Sequence, residues 1–171
     1  FGTRVAAGYE SGMDDSPMYV GVPFNKDKKT LELQDVGLNS LYIADCYALA
    51  EMAGIIGRLD EQYELLERAE EFSHRLQDIW DPDLGAFLNY RTDVDTSSSR
   101  VSPTMFYPLL AGVGDKDQMD RIVGYFYDTN KFYGEWILPS TTRDDPLFLD
   151  QKYWRGAIWP PLNFLTYLSL R

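Results

Sequence analysis

Cysteine and histidine each occur once, as Cys46 and His74. A single cysteine excludes a disulfide within the chain, and one cysteine with one histidine cannot build the usual nitrogen and sulfur ligand set of a zinc site. Cations are scarce: 16 Lys and Arg stand against 27 Asp and Glu, for a net charge of −11. A nucleic-acid backbone is gripped by clustered Lys and Arg. The one basic run here, Lys26 to Lys29, is broken by Asp27, so nucleic acid is not an expected partner. No apolar run approaches the roughly 18 residues that a spanning helix needs, and no membrane partner is expected either. The phosphate-binding loop, the HExxH helix, paired CxxC and the Gly-x-Ser-x-Gly elbow are all missing. What remains calls for no cofactor and no metal.

What is abundant is aromatic surface. Aromatic residues make up 15% of a 171-residue chain that is 44% hydrophobic and 25% charged, a globular composition of one-domain size. Tyr9, Tyr19, Phe24, Tyr90, Phe132, Tyr133, Trp136, Tyr153 and Trp154 fall outside helical patterns. The patterns themselves are clear. A short strand is expected around Leu31–Leu33, and Asp35 can cap a long helix. Leu38, Leu41, Tyr42, Leu49, Met52, Ala53 and Ile56 recur on one face of it, and Gly54 and Gly57 close it. A second helix from about Asp60 has Leu65, Ala69, Phe72, Leu76 and Ile79 on one side and Glu and Arg on the other. His74 lies among those charges, as a surface histidine. Trp80 to Gly85 reads as a turn, and Ala86 to Tyr90 as a short strand. Asp93 to Ser99 resembles half a calcium loop, but Ser98 replaces its glycine and Thr104 its bidentate glutamate, so it reads as a polar loop. Helices follow at Pro103–Ala111 and Lys116–Tyr127. After a long irregular stretch from Thr129 to Tyr153, an apolar and therefore buried helix is expected from Leu162 to Leu170. Repeated helical hairpins with long aromatic loops fit a ring around a central pocket.

The chemistry-bearing candidates are carboxylates among aromatics: Glu10, Asp14, Asp15, Glu135, Asp144, Asp145 and Asp150. The stretch Gly8-Tyr9-Glu10-Ser11-Gly12-Met13-Asp14-Asp15-Ser16-Pro17-Met18-Tyr19 is too polar to build a core. Its glycines let the backbone approach a ligand, although a solvated surface turn would have the same composition. Paired carboxylates with aromatic platforms suit glycoside hydrolysis: one acid protonates the leaving oxygen, another activates water or attacks, and rings pack on the sugar's C–H faces. Trp159 reads equally well as a core residue at a helix start. Trp154, between Tyr153 and Arg155-Gly156, is harder to place in a core.

Glu10-Ser11-Gly12-Met13-Asp14-Asp15-Ser16-Pro17 and Tyr153-Trp154-Arg155-Gly156-Ala157-Ile158-Trp159-Pro160-Pro161 resemble the two motifs of glycoside hydrolase family 63, nearest its mannosylglycerate-hydrolase-like branch. Leu138-Pro139-Ser140, Arg143-Asp144-Asp145-Pro146 and Trp80-Asp81 with Gly85 are similar to it as well, and in the same order. The resemblance implies an all-α fold, part of an (α/α)6 toroid with long loops and minor strands. It implies inverting hydrolysis of α-linked glucosides or mannosides, with Asp14 as general acid. Tyr153, Trp154, Arg155 and Trp159 would line the sugar pocket. Tyr9, Glu10 and Asp15 are expected as further substrate contacts, with two alternatives open: Glu10 bonding the loop backbone and Asp15 capping the turn. The family's general base is a glutamate C-terminal to the Trp-Arg-Gly motif, beyond Arg171. Residues 1–171 are thus expected to form a single partial catalytic domain, truncated at both ends and inactive alone.

Two other classes fit parts of this pattern. A sugar epimerase on the same helical scaffold would use histidine for proton transfer, and His74 is the only one. A non-catalytic carbohydrate-binding module, or a degenerate hydrolase, would lack the downstream glutamate.

Overall fold

Helix formation begins before the acidic loop. Arg4–Tyr9 forms α1, whose Thr3 cap accepts a hydrogen bond from the Ala6 amide at 3.2 Å. These and the following details come from a computed structural model that describes residues 2–171; Phe1, where the expected domain starts, lies outside them. Helices α2 (Val36–Ile55) and α3 (Leu59–Gln77) form the long antiparallel pair. Asp35 caps α2 as expected, its Oδ1 accepting from Leu38 N at 2.9 Å. Buried Asn89 adds a second cap, accepting from Val36 N at 2.8 Å. Gly57 makes the turn at φ +76°, a conformation other residues adopt only at a cost. Helix α3 buries Ala69 and Leu76, with Leu65 and Phe72 at the edge of the core, and turns Glu and Arg outward. Arg68–Glu64 and Arg75–Glu71 pair along that exposed face, each worth a few tenths of a kcal/mol.

The buried face of α2 differs from the expected one. Val36, Gly37, Ser40, Ile43, Cys46, Ala50 and Ala53 face inward, while Leu38, Leu49, Met52 and Ile56 are exposed. Apolar residues surround this helix, so periodicity cannot choose a face; small side chains, which permit close approach, do. A β-carbon on Gly37 would lie 2.8 Å from the Thr104 side chain.

The strands are minor. Two-residue β1 (Phe24–Asn25) and β2 (Thr30–Leu31) pair as a hairpin, so the expected strand is interrupted at Glu32 before β3 (Leu33–Gln34). Strands β4 (Trp80–Asp81) and β5 (Ala86–Phe87) flank the expected turn. β6 (Tyr90–Arg91) joins β3 to β7 (Thr96–Ser97) in a three-stranded sheet. The calcium-loop-like segment is the turn of this last hairpin, with Arg91 forked onto Asp93 at 2.6 Å. Among the described residues no group of three or more His, Cys, Asp or Glu is placed to hold a metal ion. No helix among the described residues is long and apolar enough to cross a membrane.

The expected third helix is a 3-10 turn, Pro103–Phe106, running into short α4 (Tyr107–Leu110). α5 (Lys116–Tyr127) starts with a capping box between Asp115 and Gln118. The irregular stretch holds only one short 3-10 turn, Phe148–Asp150. α6 (Pro160–Leu170) corrects the expectation of a fully buried helix: it buries Leu162, Thr166 and Ser169 but exposes Phe164 and Tyr167. One face packs on α4 and the 3-10 turn before it, and the opposite face meets no comparable surface among the described residues. The main core holds Ile43, Leu76, Phe87, Phe106, Ile122 and Phe132. A second core gathers Met13, Met18, Tyr19, Tyr107, Trp154 and Leu162. The acidic loop therefore does build a core, because its two methionines and Tyr19 turn inward while its acids stay at the surface.

Candidate active site

The loop that carries Asp14 is tied down by its own short side chains. Ser11 Oγ donates to Gly8 O at 2.8 Å and accepts from Met13 N at 3.0 Å; Gly12 takes φ +69°. Met13 O then accepts from Ser16 N at 2.9 Å, so Asp14 and Asp15 sit at the tip of a tight turn between buried Met13 and Ser16. Beneath the loop, the Tyr19 hydroxyl donates to Asp35 Oδ2 at 2.8 Å. Burial lifts the Tyr19 hydroxyl well above the usual phenol range, and the Asp35 charge adds to that. Asp35 is raised too, because desolvation outweighs the hydrogen bonds from Leu38 N and Tyr19. Arg4 fixes the far end of the loop, donating to Val22 O at 3.1 Å and to Tyr19 O. A cavity of about 260 Å³ lies under the loop, walled by Met13, Met18, Leu41, Tyr107, Trp154 and Leu165.

The aromatic motif needs unusual backbone. Tyr153 adopts φ +49° and Gly156 φ +97°. A β-carbon at Gly156 would meet Phe148 O at 2.5 Å. Fully buried Ser140 holds this bend from behind: Gly156 N donates to its Oγ at 3.1 Å, and its amide donates to Ala157 O at 3.0 Å. The bend brings three rings together. Trp154 and Trp159 stack at 4.4 Å with 25° between planes, and Tyr153 lies 5.6 Å from each. Trp159 Nε1 donates to Tyr153 O at 2.6 Å. The roles of the tryptophans reverse the expectation: Trp154, 8% exposed, belongs to the core, and Trp159 is the more open of the two.

Loop and motif meet through the two aspartates. Asp15 Oδ1 accepts from Trp154 N at 3.1 Å, and Asp15 O accepts from Arg155 Nε at 3.1 Å. Arg155 also faces the Asp15 carboxylate at 3.6 Å and pairs with Asp150 at 3.2 Å. Asp14 forms no ion pair among the described residues. Its neighbour is Tyr153, whose phenol is raised by desolvation first and then by the hydrogen bond and charge of Asp14. The structure thus brings Asp14, Asp15, Tyr153, Trp154, Arg155 and Trp159 into one cluster. Tyr9 and Glu10 are exposed at the end of α1, and no side-chain hydrogen bond ties them to that cluster.

The other acids are mostly committed. Arg100 forks onto buried Asp145 at 2.6 and 2.8 Å, and Lys131 pairs with Asp144 at 2.6 Å. Arg143 is committed as well, donating to Tyr133 O and Trp136 O. Glu135 lines a separate pocket with Trp136 and Phe148. Sequence reasoning missed the supports of the site: Tyr19 and Asp35 below the loop, and Ser140 behind the motif. The positive φ at Tyr153 leaves no signature in the sequence.

Compared with known proteins, residues 4–171 match the family described as the mannosylglycerate hydrolase MGH1-like glycoside hydrolase domain. The mannosylglycerate hydrolase of Thermus thermophilus is 25% identical over 143 residues, covering 80% of this chain and 32% of that protein. The glucosylglycerate hydrolase of Mycolicibacterium hassiacum is 25% identical over 142 residues, with the same coverage of 80% and 32%. The chain thus spans about a third of the length of these curated relatives. The glucose complex of a GH63 mannosylglycerate hydrolase from Thermus thermophilus superposes with a TM-score of 0.80 at 21% identity, over 98% of this chain and 50% of that one. At that identity the likeness is one of fold.

Proposed function

The chain belongs to the mannosylglycerate hydrolase MGH1-like glycoside hydrolase family, and from that premise we propose that it is the acid-bearing part of an inverting glycosidase acting on α-linked glucosides or mannosides. The helical pairs are then part of an (α/α)6 toroid. Asp14 is its general acid. The observation that carries this assignment is the contrast among the acids around the aromatic motif. Among the described residues Asp14 stands beside Tyr153 with no cation, while Asp15 is bonded to the Trp154 amide and Asp144, Asp145 and Asp150 to Lys131, Arg100 and Arg155. Glu10 and Glu135 are also unpaired there but lie outside the cluster. A proton donor must be free to lose its proton to the glycosidic oxygen and regain it. A carboxylate whose oxygens are already taken by a guanidinium, an ammonium or a backbone amide faces protein and not a ligand.

The stacked Trp154 and Trp159 with Tyr153 offer a rigid apolar platform next to Asp14, suited to the C–H face of a pyranose ring. Exposed Tyr9 and Glu10 would contact the substrate from the rim. The base that activates water comes from a carboxylate outside this chain. Inversion requires it about 6.5–9.5 Å from the acid, with a water between them. No cofactor or metal enters this scheme, and the partner is a carbohydrate alone.

The test uses the full-length protein carrying this chain and a panel of α-glucosides and α-mannosides, including mannosylglycerate and glucosylglycerate. Proton NMR of the first product should show the β-anomer. Asp14→Asn should abolish nearly all turnover while sugar binding, followed by calorimetry, remains. Full activity in that variant would end the assignment, and binding without turnover by the wild type would favour a non-catalytic carbohydrate-binding module.

A further inference from the structure

We propose that Asp15 is a positioning residue: together with Arg155 it latches the Asp14 loop onto the aromatic platform and thereby sets where the proton donor stands over the sugar. This inference rests on the assignment of Asp14 as the acid. Both oxygens that Asp15 presents on this side face protein. Its Oδ1 takes the Trp154 amide at 3.1 Å, and its carbonyl takes Arg155 Nε at 3.1 Å. Arg155 is in turn steered by Asp150 at 3.2 Å. These contacts join residues 139 and 140 positions apart, and they tie the turn to the backbone of Trp154 and the side chain of Arg155, whereas Asp14 meets the Tyr153 hydroxyl.

The chemistry of the bonds identifies the role. An amide donor asks only for an oxygen acceptor of the right reach, so a neutral amide side chain can replace the carboxylate there. The ionic contact with Arg155 is the longer one, 3.6 Å between half-exposed groups, and such pairs contribute little. A proton donor would not tolerate the exchange, because a neutral amide has no acidic proton to give. Losing the anchor altogether frees the loop tip, and a displacement of about 1 Å at a reacting group costs on the order of a hundredfold in rate.

The experiment compares Asp15→Asn, Asp15→Ala and Asp150→Asn in the full-length protein, with thermal melts to establish folding. Asp15→Asn is expected to keep kcat within about threefold of wild type and to leave the pH–rate profile unchanged. Asp15→Ala is expected to lower kcat by roughly ten- to a hundredfold with little change in KM. Asp150→Asn, at a more exposed position, should lower kcat by only a few-fold, roughly threefold. If Asp15→Asn is as inactive as Asp15→Ala, the charge itself is used and the latch is wrong. A rise in KM with kcat retained in Asp15→Ala would make Asp15 a sugar ligand and equally overturn it. Should the wild type cleave no glycoside, the functional reading fails separately. The latch is then read from tryptophan emission, which Asp15→Ala must shift and Asp15→Asn must not.

Discussion

Asp35 offers the sharpest test of how the loop is supported. It is 8% exposed and caps α2 through Leu38 N while accepting from the Tyr19 hydroxyl on its other oxygen. Removing the side chain as Asp35→Ala deletes an N-cap, worth about 1 kcal/mol, and leaves a buried phenol without an acceptor, costing about 1–3 kcal/mol. The expected loss is therefore roughly 2–4 kcal/mol. Asp35→Asn should behave differently. Asparagine caps as well as aspartate, its Nδ2 can donate to the Tyr19 oxygen, and no charge is left to desolvate, so the change should stay within about 1 kcal/mol. The pH dependence separates the variants further. Burial raises the Asp35 carboxyl above its unfolded value, so its protonated form favours the native state. That contribution is complete below the unfolded value, near pH 4, and is lost as pH rises through the folded one. The wild type should therefore lose ground to Asp35→Asn as pH rises from about 4 towards neutrality. Urea denaturation of the full-length protein followed by circular dichroism measures both effects. Parallel pH profiles for the two proteins, or an asparagine variant as unstable as the alanine one, would refute the account.

Two further outcomes follow from the aromatic motif. Gly156→Ala combines φ +97° with a β-carbon 2.5 Å from a backbone oxygen, so the bend must shift; a destabilisation of about 1–3 kcal/mol is expected, with a larger loss of turnover than of stability. Unchanged kinetics there would show that the bend is not part of the site. Trp159→Leu removes the open half of the 4.4 Å stack, and steady-state kinetics should show a raised KM as the platform for the sugar ring is lost. An unaltered KM would take Trp159 out of the substrate pocket.

Local chemistry made the helix ends legible in the sequence. Asp35 and Gly57 cap or terminate where expected because their side chains, or the lack of one, satisfy local backbone demands. Faces were less legible. α3 sorts charged from apolar residues, so its buried side was readable, whereas α2 and α6 are apolar almost all round and carry no such signal. The supports of the site were harder still. Tyr19 and Asp35 are 16 residues apart and Ser140 and Gly156 are also 16 apart, so their pairing depends on how loops cross and not on any local pattern. Trp154 could be recognised as special but not as buried, since its burial depends on Met13 and Met18 arriving from the other end of the chain.

Asp14 and Asp15 are chemically identical neighbours, and the fold separates them by what each meets. At the tip of a tight turn successive side chains diverge: one reaches the amide of Trp154 and the Arg155 guanidinium, the other the hydroxyl-bearing edge of Tyr153. A carboxylate whose oxygen is taken by a backbone amide is not free to reach a ligand, and an unanchored loop holds a reacting group poorly. A pair in which one carboxylate is left unpaired and the next fixes the turn answers both demands within two residues. On this reasoning the loop would not work with its two roles exchanged, because the oxygen that anchors to Trp154 N is already occupied. Placement, more than any difference in side-chain chemistry, distinguishes the proposed acid from its proposed anchor.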